Sequence, residues 1–261
     1  MILPKNLKKK IVLGSVNFGS VYGINQKKIK FQEVVKILSH AKLNDLKYID
    51  TAQLYKSEEI IAKYNKHRFK IITKIFFNSQ HKSLKKTERV VSKSILNIKS
   101  HILDTVMFHN SKILFTKSGE QIFKNLNKLK KKGDFNKIGV SIYDFNELKF
   151  LLKKYKFDVI QCPFNILDKR IIFENWVNVL KKKKVEIHAR SIFLQGLILN
   201  KNFRKSKNFF SNVNNTFRDF ELFIKKNKIS ALECALNYVI RNKKIDRVVI
   251  GIDSLKQFKQ I

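Results

Sequence analysis

Short apolar runs rich in β-branched residues alternate with longer amphipathic stretches along nearly the whole chain. Eight of these runs have the pattern of buried parallel strands. The predicted strands are Lys10–Leu13, Lys47–Asp50, Phe69–Lys74, Leu103–His109, Lys137–Ser141, Asp158–Gln161, Val185–Arg190 and Arg247–Ile250. Neighbouring parallel strands need a long crossover between them, usually a helix. The alternation therefore restricts the chain to α/β architectures.

The segments between the strands have helical periodicity. Apolar residues recur at helical spacing in Glu33–Leu43, Ser57–Tyr64, Glu120–Lys131, Asn146–Tyr155 and Ser230–Arg241. Asn146 is predicted as an N-cap, and Gly133 as the end of the third of these helices. Ser230 and Glu233 have the spacing of a capping box at the start of the last one.

Eight βα units in 261 residues match the size of a (β/α)8 barrel. A doubly wound open sheet is the competing architecture, and it often carries G-x-G-x-x-G after its first strand. Here Gly14-Ser15-Val16-Asn17-Phe18-Gly19 lacks the third glycine, and no helix is predicted before about Phe31. We therefore predict one barrel domain over residues 1–261. Its eighth helix is predicted to be truncated, because Ile261 follows barely two turns after the last strand.

The charge balance is strongly basic. Lys and Arg total 55 against 20 Asp and Glu, which gives a net charge of +35. Such a field attracts polyanions such as nucleic acid or anionic membranes. Only eight of the cations are arginine, however, and the lysines are spread over the whole chain. Proteins that recognise nucleic-acid bases rely on arginine. We therefore expect a solvated basic surface without a specific nucleic-acid site.

Two widely separated cysteines, Cys162 and Cys234, form neither a disulfide framework nor a zinc motif. This pattern favours a reducing compartment, and we expect a cytoplasmic protein. The six histidines lack H-x-x-x-H and H-E-x-x-H spacing, so no metal site is expected. No apolar run reaches the length of a membrane span, and no membrane association is expected.

Polar residues stand at the carboxyl ends of the predicted strands. In a barrel these ends meet on one face, where the chemistry of the fold takes place. Asp50 and Lys74 end adjacent strands and can form an ion pair, and a buried pair of this kind shifts the pKa of its neighbours. The other strand ends carry His109, Ser141, Gln161, Asn165, Arg190, Ser191 and Gly251 to Ser254.

Several motifs at these ends follow one another in the order of a known family. Asp50-Thr51-Ala52-Gln53-Leu54-Tyr55 resembles the D-T-A-x-x-Y signature of the aldo-keto reductases, and the resemblance continues to about Ile261. The further matching segments are Leu13 to Gly19, Thr73-Lys74, Phe108-His109-Asn110, Gly139-Val140-Ser141, Gln161 to Asn165, and Arg190 to Gly196. The first and the last of these segments are most similar to those of a bacterial branch of the family.

The resemblance implies reduction of an aldehyde or ketone, sugar-type carbonyls included, with NADPH or NADH. It also implies a catalytic tetrad of Asp50, Tyr55, Lys74 and His109. Tyr55 would deliver a proton to the oxygen of the carbonyl, and His109 would polarise that oxygen. Lys74, held by Asp50, is expected to lower the pKa of the Tyr55 phenol.

The resemblance also assigns the cofactor contacts. Ser141 and Gln161 match positions that hold the nicotinamide carboxamide, and Arg190 stands where an aromatic residue usually stacks on that ring. Ser191, Leu194 and Gly196 would approach the pyrophosphate. Gly251, Asp253 and Ser254 stand where the family binds the adenosine phosphate. Asp253 occupies a place where a cation is common, which predicts weak discrimination against NADH.

Other interpretations stay open at this stage. On the same barrel, Lys74 could act as the nucleophile of a Schiff-base aldolase. A family member that binds a cofactor or partner without turnover is a third possibility. Tyr22, Phe76 and Phe77 are predicted as apolar walls for a small-molecule substrate, and Leu197–Asn215 is predicted as a lid or a surface loop. The oligomeric state cannot be predicted.

Overall fold

A computed structural model describes residues 3–24, 28–64, 69–99, 103–202 and 214–261, with the side chains of 214 and 215 left aside. Eight parallel strands form a closed barrel in chain order, and the last strand pairs with the first. The strands are β1 (Ile11–Gly14), β2 (Tyr48–Ala52), β3 (Lys70–Ile75), β4 (Leu103–Phe108), β5 (Phe135–Ser141), β6 (Val159–Pro163), β7 (Glu186–Arg190) and β8 (Arg247–Gly251). The predicted (β/α)8 barrel is confirmed.

Helices surround the strands. In the described ranges they are α1 (Lys5–Lys8), α2 (Val16–Gly19), α3 (Phe31–Leu43), α4 (Glu58–Ala62), α5 (Leu84–Ile98), α6 (Lys117–Lys132), α7 (Glu147–Lys154), α8 (Arg170–Phe173), α9 (Trp176–Lys182), α10 (Asn214–Lys226), α11 (Ala231–Ile240) and α12 (Leu255–Phe258). Short 3-10 turns cover Gln53–Tyr55, Ser79–His81, Ser111–Phe115 and Leu194–Leu199. The helix after β8 is the single turn α12.

Each of the five predicted helices is present, and its ends lie within three residues of the predicted ones. Gly133 ends α6 with a φ of 96°, and the Ser230 side chain accepts a hydrogen bond from the Glu233 amide at 3.1 Å. The prediction for Asn146 was wrong, because its backbone is helical and its side chain makes no capping hydrogen bond.

Apolar residues fill two regions of the barrel. The larger core lies between the strands and the surrounding helices. A smaller layer of Val12, Tyr48, Ile72, Met107 and Val159 fills the barrel interior. These residues precede the cavity-lining positions of their strands by two, which places them on the same inward face, one layer deeper. The polar side chains at the strand ends therefore lie on a packed apolar floor. Within the described ranges, no helix combines the length and the apolar composition that crossing a membrane requires.

Candidate active site

An ion pair between Asp50 and Lys74 lies in the mouth of the barrel. The two residues come from the adjacent strands β2 and β3, and their side chains are only 5 % and 2 % exposed. Lys74 Nζ donates to Asp50 Oδ1 and also to the Thr51 carbonyl at 3.3 Å. A buried charge is costly unless it is paired, so each residue depends on the other.

Gln161 completes the surroundings of Asp50. Its Nε2 donates to Asp50 Oδ2 at 2.7 Å, and this bond joins β6 to β2 across the barrel. Gln161 is fully buried, and its Oε1 has no hydrogen-bond partner within the described part of the chain. One end of the amide thus positions Asp50, while the other end is an acceptor without a donor.

Tyr55 lies beside this pair at the end of a 3-10 turn that follows β2. Lys74 Nζ is 5.3 Å from the centroid of the Tyr55 ring. The ring of His109, directly after β4, lies perpendicular to the Tyr55 ring with 5.6 Å between centroids. Gly19 packs against the Tyr55 backbone so closely that a Cβ would lie 2.2 Å from its carbonyl oxygen. Only glycine fits there, and it fixes the position of the turn.

The ionisation states of these groups follow from burial and charge. Burial, followed by the nearby Asp50 charge, raises the pKa of Tyr55. The expectation of a lowered pKa for Tyr55 is wrong for the structure, because the cost of desolvating a phenolate, together with the Asp50 charge, is larger than the help from Arg190. Burial, with the Lys74 charge as the second cause, lowers the pKa of His109 to about 4. At neutral pH both Tyr55 and His109 are therefore uncharged.

A cavity of about 600 Å³ opens above these residues. Its lining includes all four residues of the predicted tetrad. Most of the predicted cofactor residues line the same cavity, namely Ser141, Gln161, Arg190, Ser191, Gly196, Gly251 and Asp253. Leu194 and Ser254 do not line it, although each lies next to residues that do. The Ser254 side chain instead caps α12 by accepting from the Gln257 amide at 3.2 Å.

Of the three residues predicted as apolar walls for a substrate, only one lines the cavity. Tyr22 lines the cavity, whereas Phe76 and Phe77 do not. Phe77 is buried and packs on Phe108, so its predicted role was wrong. The aromatic residues Phe203, Phe209 and Phe210 of the predicted lid lie outside the described residues. Asn214 and Asn215, the end of that segment, belong to α10.

Two contacts join the segment after β1 to the segments after β8 and β7. Asn17 Nδ2 donates to Asp253 Oδ1, and the Ile24 amide donates to the Gln195 carbonyl at 3.1 Å. Ser191, Leu194 and Gln195 have φ values of 57°, 47° and 56°, which non-glycine residues rarely adopt. Strain of this kind is often found at binding sites, and here it borders the cavity.

Comparisons with known proteins agree with this geometry. A sequence model of the Aldo/keto reductase family matches residues 10–261. The chain belongs to this family. It is accordingly an oxidoreductase, and aldo-keto reductases reduce small-molecule carbonyl compounds with nicotinamide cofactors. No curated protein matches the chain.

Solved structures of other aldo-keto reductases share the fold. The chain is similar to an aldo-keto reductase of Bacillus halodurans in its holo form, with a TM-score of 0.77, 18 % identity and coverage of 96 % of this chain and 84 % of that one. The chain is also similar to a glycerol dehydrogenase of Gluconobacter oxydans, with a TM-score of 0.73, 18 % identity and coverage of 95 % of this chain and 84 % of that one. For a thermostable aldo-keto reductase in complex with epalrestat, the TM-score is 0.73, the identity is 18 %, and the match covers 98 % of this chain and 88 % of that one.

Sequence reasoning gave no role to several residues that line this aldo-keto reductase cavity, and two of them are polar and make notable contacts. Asn17 and Tyr143 both line it, and the Tyr143 ring lies 3.8 Å from the guanidinium carbon of Arg190. Tyr143 stands two residues after Ser141, so the strand periodicity could have indicated it. Asn17 lies in the one-turn helix α2, and its bond to Asp253 depends on closure of the barrel between β1 and β8.

The residues present fit a nicotinamide cofactor. A carboxamide offers both a hydrogen-bond donor and an acceptor. Gln161 Oε1 is buried and has no donor within the described part of the chain, so it suits the NH2 group of a carboxamide. The Ser141 hydroxyl lies at the same level of the adjacent strand, since Ser141 and Gln161 are register partners. Within the described ranges, no group of three or more His, Cys, Asp or Glu residues could hold a metal ion.

Proposed function

We propose that this enzyme reduces an aldehyde or ketone to the alcohol with NADPH or NADH, and that Asp50, Tyr55, Lys74 and His109 are its catalytic residues. The observation that carries the proposal is the buried Asp50–Lys74 pair, with Tyr55 and His109 beside it, in one cavity large enough for ligands. Sugar-type carbonyls belong to the proposed substrate class, and a cytoplasmic location fits this chemistry.

Tyr55 is proposed as the proton donor. When bound, the cofactor supplies a hydride to the carbonyl carbon, and the carbonyl oxygen then needs a proton. The raised pKa of Tyr55 keeps the phenol protonated at neutral pH. An alkoxide is a much stronger base than a phenolate, so the transfer from Tyr55 remains downhill. Lys74, 5.3 Å from the ring centroid, then stabilises the phenolate that is formed.

His109 is proposed to polarise the carbonyl group. Because its pKa lies at about 4, the imidazole is neutral and can donate a hydrogen bond. A neutral donor avoids placing a second positive charge beside Lys74. Asp50 is proposed to hold Lys74 in place, and Gln161 holds Asp50 from the other side.

The cofactor is proposed to lie along the β5–β8 side of the cavity. Ser141 and Gln161 would hold the carboxamide, and Arg190 would lie near the nicotinamide ring. Ser191 and Gly196 would line the pyrophosphate, with Gly251 and Asp253 toward the adenosine end. All seven of these residues line the cavity.

A fluorescence titration with NADPH and NADH tests the proposal first. A panel of aldehydes, ketoses and deoxysugars follows, with oxidation of the bound cofactor as the signal. We expect binding of at least one cofactor and turnover of at least one carbonyl. Binding without any turnover would favour a catalytically degenerate member, and absence of binding would contradict the proposal.

A Schiff-base aldolase is the alternative from a different class. Burial lowers the pKa of Lys74, which favours the neutral amine that such a reaction needs. The contacts of Nζ with a carboxylate and a carbonyl oxygen instead suit an ammonium group. Borohydride treatment with a ketone should therefore leave no adduct on Lys74, and a trapped adduct would support the aldolase.

A further inference from the structure

Arg190 is a cation held in a fixed orientation at the cavity wall. It ends β7, and its Nη2 donates to the Ile142 carbonyl at 2.8 Å while Nη1 contacts Ser191 Oγ at 3.3 Å. The exposed ring of Tyr143 stacks on the guanidinium at 3.8 Å. These three contacts fix the plane of the guanidinium group.

Among the residues that the structure describes, none pairs an acidic group with the charge of Arg190. Within the described part of the chain, no carboxylate oxygen lies within 4.0 Å of its guanidinium, whereas Lys74 in the same cavity is neutralised by Asp50. Asp253 also lines the cavity, but its carboxylate accepts from Asn17 on the β8 side. Arg190 is half-buried, so water screens its field only in part.

The field of Arg190 reaches the catalytic residues. Its charge contributes to lowering the pKa of Lys74 and of His109, and it opposes the rise in the pKa of Tyr55. A carbonyl held by Tyr55 and His109 can accept a hydride only from a ring in contact with it. The nicotinamide ring must therefore bind within the same field.

We propose that Arg190 determines the preference of this enzyme for reduced over oxidised cofactor. The inference rests on the proposed function. In the reaction, NAD(P)H, a carbonyl and one proton give NAD(P)⁺ and an alcohol, so the nicotinamide ring changes from neutral to a charge of +1. The fixed guanidinium repels only the oxidised ring. Reduction is favoured on the enzyme, and the oxidised cofactor leaves readily.

Dissociation constants test this without relying on turnover. NADPH and NADP⁺ are titrated calorimetrically, and NADH with NAD⁺ as a second pair, against the wild type, R190Q, R190M and R190K. We expect the wild type to bind the reduced form about tenfold more tightly or better. In R190Q and R190M the ratio should fall toward one, mainly through tighter binding of the oxidised form. R190K should retain most of the preference.

Arg247 provides a matched control. It also stacks on a tyrosine, with its guanidinium carbon 4.0 Å from the Tyr48 ring, and its Nη1 donates to the Lys9 carbonyl at 2.6 Å. It starts β8 and so lies at the opposite end of the barrel. R247Q removes an equivalent charge and should leave the ratio of the dissociation constants unchanged. Thermal unfolding of each variant checks that the fold is retained.

The outcomes separate this inference from the proposed function. If the wild type binds neither form, the proposed function fails. If both forms bind and carbonyls are reduced, but R190Q and R190M keep the wild-type ratio, only the role of Arg190 is overturned. Equal weakening of both forms in R190Q would also overturn it, because Arg190 would then contact a phosphate that both forms share.

Discussion

Gln161 donates from Nε2 to Asp50 Oδ2 at 2.7 Å, and the two residues are 111 positions apart in the chain. Lys74 occupies the other oxygen of the same carboxylate. Asp50 therefore has a donor on each oxygen, one charged and one neutral. This arrangement makes Gln161 a support for the proposed catalytic residues as well as a candidate contact for the cofactor.

Replacing Gln161 by leucine should destabilise the protein. The substitution leaves one oxygen of a buried carboxylate without a donor, which costs about 1–3 kcal/mol. The measurement is the free energy of unfolding in urea. Q80L is the control, since the side chain of Gln80 is exposed on the 3-10 turn Ser79–His81. Its effect should stay within about 0.5 kcal/mol. Equal losses in both variants would show that the Gln161–Asp50 bond contributes little.

The sequence could predict the strands but not this bond. Each strand is a local run of β-branched residues, and the period and length of such runs are visible in the sequence. The Gln161–Asp50 contact depends on closure of the barrel, which brings β6 opposite β2, and no local spacing encodes it. Resemblance to the family indicated Gln161 as a cofactor residue and gave no sign of its contact with Asp50.

Two further features of the structure differ from the sequence predictions, and both depend on packing that the sequence does not show. Helix α5 was not predicted, and its buried face contains Thr87, Val91, Ser94 and Ile98. Half of these residues are polar, so apolar residue type alone does not mark this face as buried. The pKa of Tyr55 depends on how far the phenol is desolvated, which only the packed structure shows. The sequence indicates the attraction between a Tyr55 phenolate and Lys74, but it does not show the larger cost of desolvating that phenolate.

Tyr55→Phe should reduce carbonyl turnover by about 10²-fold or more, because a positioned acid contributes on this scale. Binding of the cofactor should persist, since the phenol is proposed to face the carbonyl oxygen. The measurements are steady-state kinetics and a cofactor titration. Tyr64→Phe is the control, because the Tyr64 hydroxyl bonds to Ser39 Oγ at 2.8 Å on the helix α3, outside the barrel and its cavity. Near-normal reduction by the Tyr55 variant would exclude Tyr55 as the proton donor.

His109 should titrate with a pKa near 4 in the free protein. Its ordinary value is about 6.5, so the folded state resists protonation more than the unfolded chain does. Between these values the unfolded chain binds more protons, and stability should fall as the pH drops from about 6.5 to 4. The measurement is NMR of labelled histidine, with the His109 signal assigned from the spectrum of H109Q. A pKa at or above 6.5 would contradict the desolvated, neutral imidazole.

The basic surface should bind nucleic acid weakly and without sequence preference. The charge of +35 is built mainly from dispersed lysines, so counterion release is the only expected driving force. Binding should disappear at moderate salt. Fluorescence anisotropy with DNA and RNA of several sequences at increasing salt checks this. Sequence-selective binding that persists at about 200 mM salt would support a specific nucleic-acid site instead.

Asp253 should make discrimination between NADPH and NADH weak. Its carboxylate lines the cavity and accepts from Asn17, and its amide donates to Gln257 Oε1 at 3.0 Å. A carboxylate repels a 2′-phosphate but accepts well from a ribose hydroxyl. Lys256 stands in an exposed groove beside Glu33 and is the nearest cation in sequence that could reach a phosphate.

Dissociation constants for NADPH and NADH, measured side by side, test this role of Asp253. We expect similar values in the wild type, and we expect D253K to shift the ratio toward NADPH by about tenfold. D134K makes the same change of charge beside the start of β5, at the other end of the barrel, and should leave the ratio unchanged. A wild-type preference for NADPH of about a hundredfold, roughly 2.7 kcal/mol, would mean that a cation such as Lys256 binds the phosphate. The K256M variant would then lose that preference, and the argument from Asp253 would be wrong.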